Sequence, residues 1–437
     1  MKKALSILLI FTMALCMFSC GKNPNLADTT NSINETTVST LKENGTEQTT
    51  QRVGGQVCLG TDGKPMYIRY KTADFAFRLF KEAVKGEANA LISPVSVIMA
   101  LAMTANGAKG ETLEQIEAVL GLDVASLNAD YTKQIFDGNG IKLANSVWLR
   151  NERNRLTVNE SFVQTVQSRY GADVFSEKFN KKTLDKINAW VSDNTDGLIK
   201  NMLNEIPEDA VIYLINTVLF DAEWQNPYSR GDIRENQIFT TESGEKQTVT
   251  MLRSEQSDLT LFRLGKAQGV EIPYNNGYSF AAILPDEGVT VEQALQSFTG
   301  DDFVKAVAPE EPPVVCGTYC PVEILLPKFE FDCSFNLNDA LKSLGMPAAF
   351  DSAKADFSGM ATSTRGNIYI GNVYHNTKIA LTEKGTIAGA ATAVEFVEEG
   401  MMIYNQTMRF DRPFIYVIYE TETGTPLFVG AVKDFNE

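Results

Sequence analysis

The chain carries one histidine, His375, and that count decides much of the chemistry open to it. A Ser-His-Asp hydrolase would have to use His375 as its base, and no G-x-S-x-G nucleophile elbow accompanies it. The H-E-x-x-H zinc helix needs two histidines and is ruled out. Beyond Cys16 and Cys20, which close the apolar N-terminal run, the cysteines are Cys58, Cys316, Cys320 and Cys333. In one extended strand Cys316 and Cys320 would stand roughly 13 Å apart at ~3.3 Å per residue, beyond disulfide reach. Only a turn at Gly317-Thr318-Tyr319 would close them. With no paired C-x-x-C a metal site is weakly supported, so no metal and no cofactor is expected. His375 reads as a satisfied core histidine, and the thiols as structural or free.

The segment Glu383 to Val394, EKGTIAGAATAV, is the other unusual feature. Taking every second residue gives Thr386, Ala388, Ala390, Thr392, Val394 and Phe396, which would line one face of a strand. The residues are smaller and richer in Gly and Ala than a standing strand favours. Such a stretch reads either as a plain Ala/Gly linker or as a loop able to insert as a strand, which is a switch.

Composition sets the frame. The 437 residues are 44% hydrophobic and 22% charged, ample for a large core in one large domain or two ordinary ones. A net charge of −16 argues against nucleic acid as a partner, because phosphate binding needs Lys and Arg to displace counterions. Solubility is the simpler account of the acidity.

Lys2 and Lys3 precede an apolar run, Ala4 to Phe18, that ends at Ser19-Cys20-Gly21. This is the charged and apolar sequence of a secretory signal, too short for a comfortable membrane span. A Cys after a small residue at that point resembles a bacterial lipoprotein signal, which implies cleavage before Cys20 and lipid attachment there. Cys16 is the weaker choice because Leu15 precedes it, and Met17 and Phe18 are larger than the usual preceding pair. An ordinary signal peptide with an incidental Cys is the other reading. The following residues, to about 55, are rich in Asn, Thr, Ser and Glu and cannot bury enough surface to offset ordering entropy. We therefore expect a signal over 1–20, a polar tether over 21–55 and one domain over 56–437. The product would be exported and held by lipid on Cys20 at the cell envelope, on the periplasmic face or cell surface of the outer membrane, or be extracellular.

The domain mixes both periodicities. Phe75, Leu79, Phe80 and Ala83 form a helical stripe. Ser93-Pro94 reads as an N-cap with Pro at the first helical position, opening a helix through Met99, Leu101 and Met103 toward Gly107. Glu111 to Leu120 is a further helix stopped by Gly121. Val211 to Phe220 is a continuous apolar, β-branched run, expected as a buried central strand. Ser279–Leu284, Val322–Leu326 and Phe414–Tyr419 also read as strands. Helices early and strands late argue for an α+β fold with large antiparallel or mixed sheets.

Several stretches, in order over roughly residues 65 to 437, resemble the serpin family of serine protease inhibitors. They are Asp74 to Phe80, Ile92-Ser93-Pro94-Val95-Ser96, Gly107 to Thr112, and Ile215 to Phe220 with Trp224. Further along come Ile283 to Asp286, Leu326-Pro327-Lys328-Phe329, Phe357 to Met360, Glu383-Lys384-Gly385-Thr386, Phe410 to Phe414 and Gly430. No single motif is decisive; the ordered set is. The resemblance implies a large central mixed sheet, two smaller sheets, about eight or nine helices and an exposed reactive-centre loop. It implies a suicide substrate and not an enzyme. A target serine protease, or a papain-like cysteine protease, cuts the loop and is held as an acyl-enzyme while the loop inserts into the central sheet. The chain would act as a monomer apart from that covalent complex. By the same resemblance Glu383, Lys384, Gly385, Thr386, Ala388, Ala390, Thr392 and Val394 are hinge and inserting strand. Ser93, Ser96, Asn216 and His375 form a shutter in which the histidine bonds the asparagine, and Trp224 sits at the breach where insertion begins.

The inserting face carries no charge and no Pro, either of which would oppose burial in a central strand. Glu395 lies on the other face, and Gly385 offers backbone freedom. One departure is Ile387, where family hinges often carry an acid. By the same resemblance the attacked bond, about seventeen residues along counting Glu383 as the first, would be Glu399-Gly400. Insertions after Val394 would move it to Val397-Glu398, Met401-Met402 or Met402-Ile403. The alternative is a serpin-fold binding or chaperone module that inhibits nothing. Heparin-type activation is not expected, since Leu127 to Phe136 holds only Lys133 as a base.

Overall fold

The computed structural model describes residues 66–129, 140–152, 155–256, 259–309, 322–386 and 406–436, all inside one compact unit, Val57–Glu437. The signal, the tether, Cys16, Cys20, Cys58, Cys316, Cys320, Lys133 and the loop from Ile387 through the expected reactive bonds lie outside the described residues.

The helices are α1 (Met66–Ala83), α2 (Pro94–Ala105), α3 (Gly110–Leu120), α4 (Val124–Ala129), α5 (Glu160–Tyr170), α6 (Lys181–Asn194), α7 (Val291–Leu295), α8 (Gly300–Val307) and α9 (Asn338–Leu344). The first nine strands are β1 (Asn89–Ile92), β2 (Ile141–Arg150), β3 (Leu156–Val158), β4 (Asp173–Glu177), β5 (Ile212–Phe220), β6 (Ala222–Glu223), β7 (Ile233–Thr240), β8 (Lys246–Gln256) and β9 (Leu261–Leu264). They continue as β10 (Ala267–Pro273), β11 (Tyr278–Pro285), β12 (Val322–Pro327), β13 (Phe329–Asn336), β14 (Ala361–Ser363), β15 (Tyr374–Leu381), β16 (Gly385–Thr386), β17 (Gln406–Arg409), β18 (Phe414–Glu420) and β19 (Thr425–Val432). The fold is α+β.

The expected helices form where their stripes place them. Ser93 caps α2, its hydroxyl accepting from the Ser96 N–H at 3.4 Å, with Pro94 in the first turn. Only Ala100 in α2 is less than fully buried, as a helix apolar on all faces requires. Helix α3 ends at Gly121 in the left-handed conformation, φ 68°, a position that favours glycine.

One six-stranded sheet, β1-β19-β18-β11-β10-β9, is antiparallel throughout. A second, β17-β12-β8-β7, has one parallel pair, β12 with β17. The large central sheet exists as two halves. In one half β2 is flanked by β4 and by β5, pairing with β5 from Ile141↔Phe220 to Leu149↔Ile212. In the other, β13 pairs with β15 from Phe329↔Leu381 to Asn336↔Tyr374. Among the described residues the halves approach each other at the two-residue β16, where Thr386 pairs with Leu381 of β15 and with Ala222 of β6, and β5 forms no ladder with β15. Residues 212–220 therefore fold as a strand, but one that borders a slot on one side and is half-buried at Ile212–Leu214. Helix α6 packs on the β2–β5 half through Ile187 and Val191, against Trp148 and Ile215.

Candidate functional site: a slot in the central sheet

The slot begins where β16 ends. Thr386 is 1% exposed, and its hydroxyl shares a short hydrogen bond with the Tyr274 hydroxyl. Burial and that contact explain why Thr386 points inward, as the alternation of small residues predicts. Gly385 is there for a reason different from the one its sequence suggests. A Cβ on it would lie 2.0 Å from the Ala222 carbonyl oxygen and 2.8 Å from Glu223 Cα. Close backbone approach, not looseness, requires glycine.

Trp224 holds the turn that leads into β16. Its indole Nε1 donates to the Thr382 carbonyl at 2.9 Å, and its backbone N–H donates to the Lys384 carbonyl at 2.8 Å. The ring stacks on Tyr274, centroids 4.4 Å apart at 8°. The Tyr228 N–H donates to the Glu383 carbonyl at 2.9 Å. Glu383 in turn pairs with Lys328 at 2.6 Å, and that hydrogen bond is the chief reason its carboxyl is held below the usual range. The expected breach residue thus holds Lys384 directly and Thr382 beside the hinge. Sequence reasoning missed Tyr228, Tyr274 and the role of Lys328. Lys328 sits in a quoted motif, but the two tyrosines carry no local signal that separates them from other core aromatics.

Beyond Thr386 no described strand lies between β5 and β15. A cavity of about 20 Å³ lies next to Thr386, lined by Val218, Phe220 and Ile379 among others. Farther down, a cavity of about 640 Å³ lies between residues 210–216 and 366–375, floored by α2. His375, Asn216 and Ser96 all line this larger cavity, and Ser93 lies directly behind His375. The four expected shutter residues are therefore brought together, but their bonding differs from the resemblance. His375 Nε2 accepts from the Ser93 backbone N–H at 2.9 Å. Asn216 donates to Asn145 Oδ1 at 2.9 Å and to the Ala144 carbonyl at 3.4 Å. Its own Oδ1 is buried without a partner among the described residues. The slot separates β5 from β15, so the direct Asn216–His375 bond gives way to an Asn216–Asn145 bond within one half and to the bond between His375 and the Ser93 backbone at the head of α2. Asn145, on β2, is the partner the sequence reading lacked.

Burial pushes His375 down to about 4, so it is neutral near pH 7, and its accepting nitrogen is already used by Ser93. A hydrolytic base needs a nucleophile within reach; His375 has a backbone amide there. Cys333 is a buried free thiol pushed up to about 11, chiefly by burial, which makes it inert.

Comparison with known proteins agrees with this geometry. The family model described as Serpin (serine protease inhibitor) matches residues 70–435, and the chain belongs to the serpin family. It is 29% identical to a serine protease inhibitor of Cyanea capillata over 80% of this chain and 93% of that protein. It is also 29% identical to alpha-1-antiproteinase of Rattus norvegicus, over 85% and 91% of the two chains. Among solved structures it resembles the thermophilic serpin tengpin in its native state, with TM-score 0.76 and 37% identity over 86% of this chain and 96% of that one. Tengpin in its latent state superposes with TM-score 0.71 at 36% identity, over 86% and 100%. Members of this family are generally protease inhibitors and not enzymes.

Proposed function

We propose that this chain inhibits serine endopeptidases by offering its loop as bait and inserting the cut loop into the slot. One observation carries the reading: the head of the loop, Gly385-Thr386, is already threaded between the upper ends of the two half-sheets. Continuing the Leu381↔Thr386 register would set Ala388 opposite Ile379, Ala390 opposite Thr377 and Thr392 opposite His375. Those β15 residues are the buried, inward-facing alternates of the strand. Every loop side chain so aligned is small and uncharged, and the 20 Å³ gap beside Thr386 has room for a methyl.

The chemistry belongs to the target. Its serine Oγ attacks the scissile carbonyl, an ester forms, and the C–N bond breaks. The serine proton leaves, by way of the protease histidine, on the new amine. The part of the loop before the cut stays joined to the protease through the ester. Insertion then draws the protease along, and deacylation fails when its oxyanion donors and water lose their positions.

A panel of elastase-, chymotrypsin-, trypsin-, subtilisin- and papain-like proteases tests this directly. We expect a complex that survives a denaturing gel, with a released C-terminal peptide whose mass identifies the bond at Glu399-Gly400 or at Val397, Met401 or Met402. Cleavage of the loop without any such complex, by every protease tried, would favour a non-inhibitory module. Export and lipid anchoring through Cys20 belong to the same proposal, supported by the charged and apolar N-terminal pattern. Cys20→Ser should move the protein from the membrane fraction to the soluble one.

A further inference from the structure

The larger cavity holds polar groups that no described residue satisfies. Asn216 is 7% exposed, lines the cavity, and has an acceptor, Oδ1, with no partner among the described residues. A buried acceptor left unmade costs free energy, so this atom calls for an N–H or O–H donor. Two guanidinium groups, Arg155 and Arg365, line the cavity with a single carboxylate, Asp209. Arg155 donates to the Glu208 and Asp209 carbonyls at 2.8 and 3.1 Å, which orient it without cancelling its charge, and its Nε is buried without a partner among the described residues. Among the described residues neither arginine has an ion pair, whereas neighbouring Arg150 is paired with Glu152 at 3.2 Å. Burial first, then Arg150 and Arg365, lower the Arg155 pKa. The rest of the wall is mixed: Leu101, Met360 and Tyr213 lie inside, Tyr369 and Tyr374 stand at the rim, 42% and 36% exposed, and Ser96, Thr104, Asn367 and Asn372 add polar groups.

We propose that this cavity binds a small amphipathic anion: an aromatic body, one carboxylate-like end for Arg155 and Arg365, and one hydrogen-bond donor for Asn216 Oδ1. The volume of about 640 Å³ falls in the range of small-molecule sites, roughly 300–1,000 Å³. The occupant would fill the part of the slot remote from Thr386. That it would thereby oppose insertion of the distal loop rests on the function proposed above.

The probe 8-anilinonaphthalene-1-sulfonate has the three required features and can be titrated into the full chain by fluorescence and calorimetry. We expect one saturable equivalent. Arg155→Gln with Arg365→Gln should weaken it at least about tenfold, the loss of a charge-assisted hydrogen bond. Arg365→Gln alone, on an exposed loop and leaving the melting temperature unchanged, should weaken it in the same direction. Lys378→Gln, which lies outside the larger cavity, should not. Several equivalents, unchanged affinity in the arginine variants, or an equal loss with Lys378→Gln would overturn the site. Loop-cleaved protein separates the two ideas. Loss of the probe on cleavage supports both, whereas retained, arginine-dependent binding upholds the site and counts against insertion to this depth.

Discussion

Gly385→Ala is the sharpest perturbation the hinge offers. The added methyl would stand 2.0 Å from the Ala222 carbonyl oxygen and 2.9 Å from its carbonyl carbon. Both atoms belong to backbone, so a rotamer change gives no relief. The strand would have to move by roughly 1.5 Å to reach an ordinary contact. Three hydrogen bonds depend on its present position: Thr382 N–H to the Gly385 carbonyl at 2.9 Å, Trp224 N–H to the Lys384 carbonyl at 2.8 Å and Tyr228 N–H to the Glu383 carbonyl at 2.9 Å. At ~0.5–1.5 kcal/mol each, losing them costs about 1.5–4.5 kcal/mol. The seat is shared by the starting state and by any inserted state, so the cost falls on the stability of the fold and cancels from the insertion step. The melting temperature of the Ala variant should fall, and urea titration should show a loss of stability of that size, while the number of inhibitor molecules cleaved per enzyme inactivated stays close to the parent's. An Ala variant that melts like the parent would refute the close-approach account of Gly385.

Three further outcomes follow from the same region. His375 is held at about 4 by burial, below its unfolded value of about 6.5; above that pH it is neutral in both states and full stability is present. Below it the unfolded chain gains a proton that the fold excludes. Stability should therefore be lost between about pH 6.5 and 4, on the order of 3 kcal/mol, and urea titrations of the parent and His375→Gln should diverge only in that window. Trp224→Ala removes the Tyr274 stack and the Thr382 bond and should cost about 3–5 kcal/mol, whereas Trp224→Phe keeps part of the stack; thermal unfolding distinguishes them. Lys328→Met breaks the partly exposed pair with Glu383 and should cost under about 1 kcal/mol. Faster proteolysis in the loop with a nearly unchanged melting temperature is the expected signature.

Much of the fold is legible in local patterns. The α2 cap at Ser93, the stop at Gly121, the strand 212–220 and the inward alternate at Thr386 all follow from periodicity and side-chain size, which neighbouring residues alone decide. The family could be read from motifs spaced along most of the chain. The site was legible as a set of residues but not as a set of contacts. Ser93, Asn216 and His375 meet from the head of α2, β5 and β15, and which of them bond depends on how far apart the two half-sheets stand. That separation is a property of packing across the whole domain, and no local pattern encodes it.

By itself the sequence determined which residues can enter a central strand: small size, absence of charge and the period of two are properties of the chain alone. Tertiary structure decided where that strand would go. Only the assembled sheets set the β5 edge opposite β15, press Gly385 against Ala222, leave Asn216 Oδ1 without a donor among the described residues and gather Arg155 and Arg365 at one cavity. Each is a distance between segments remote in sequence, fixed by the shared core beneath them.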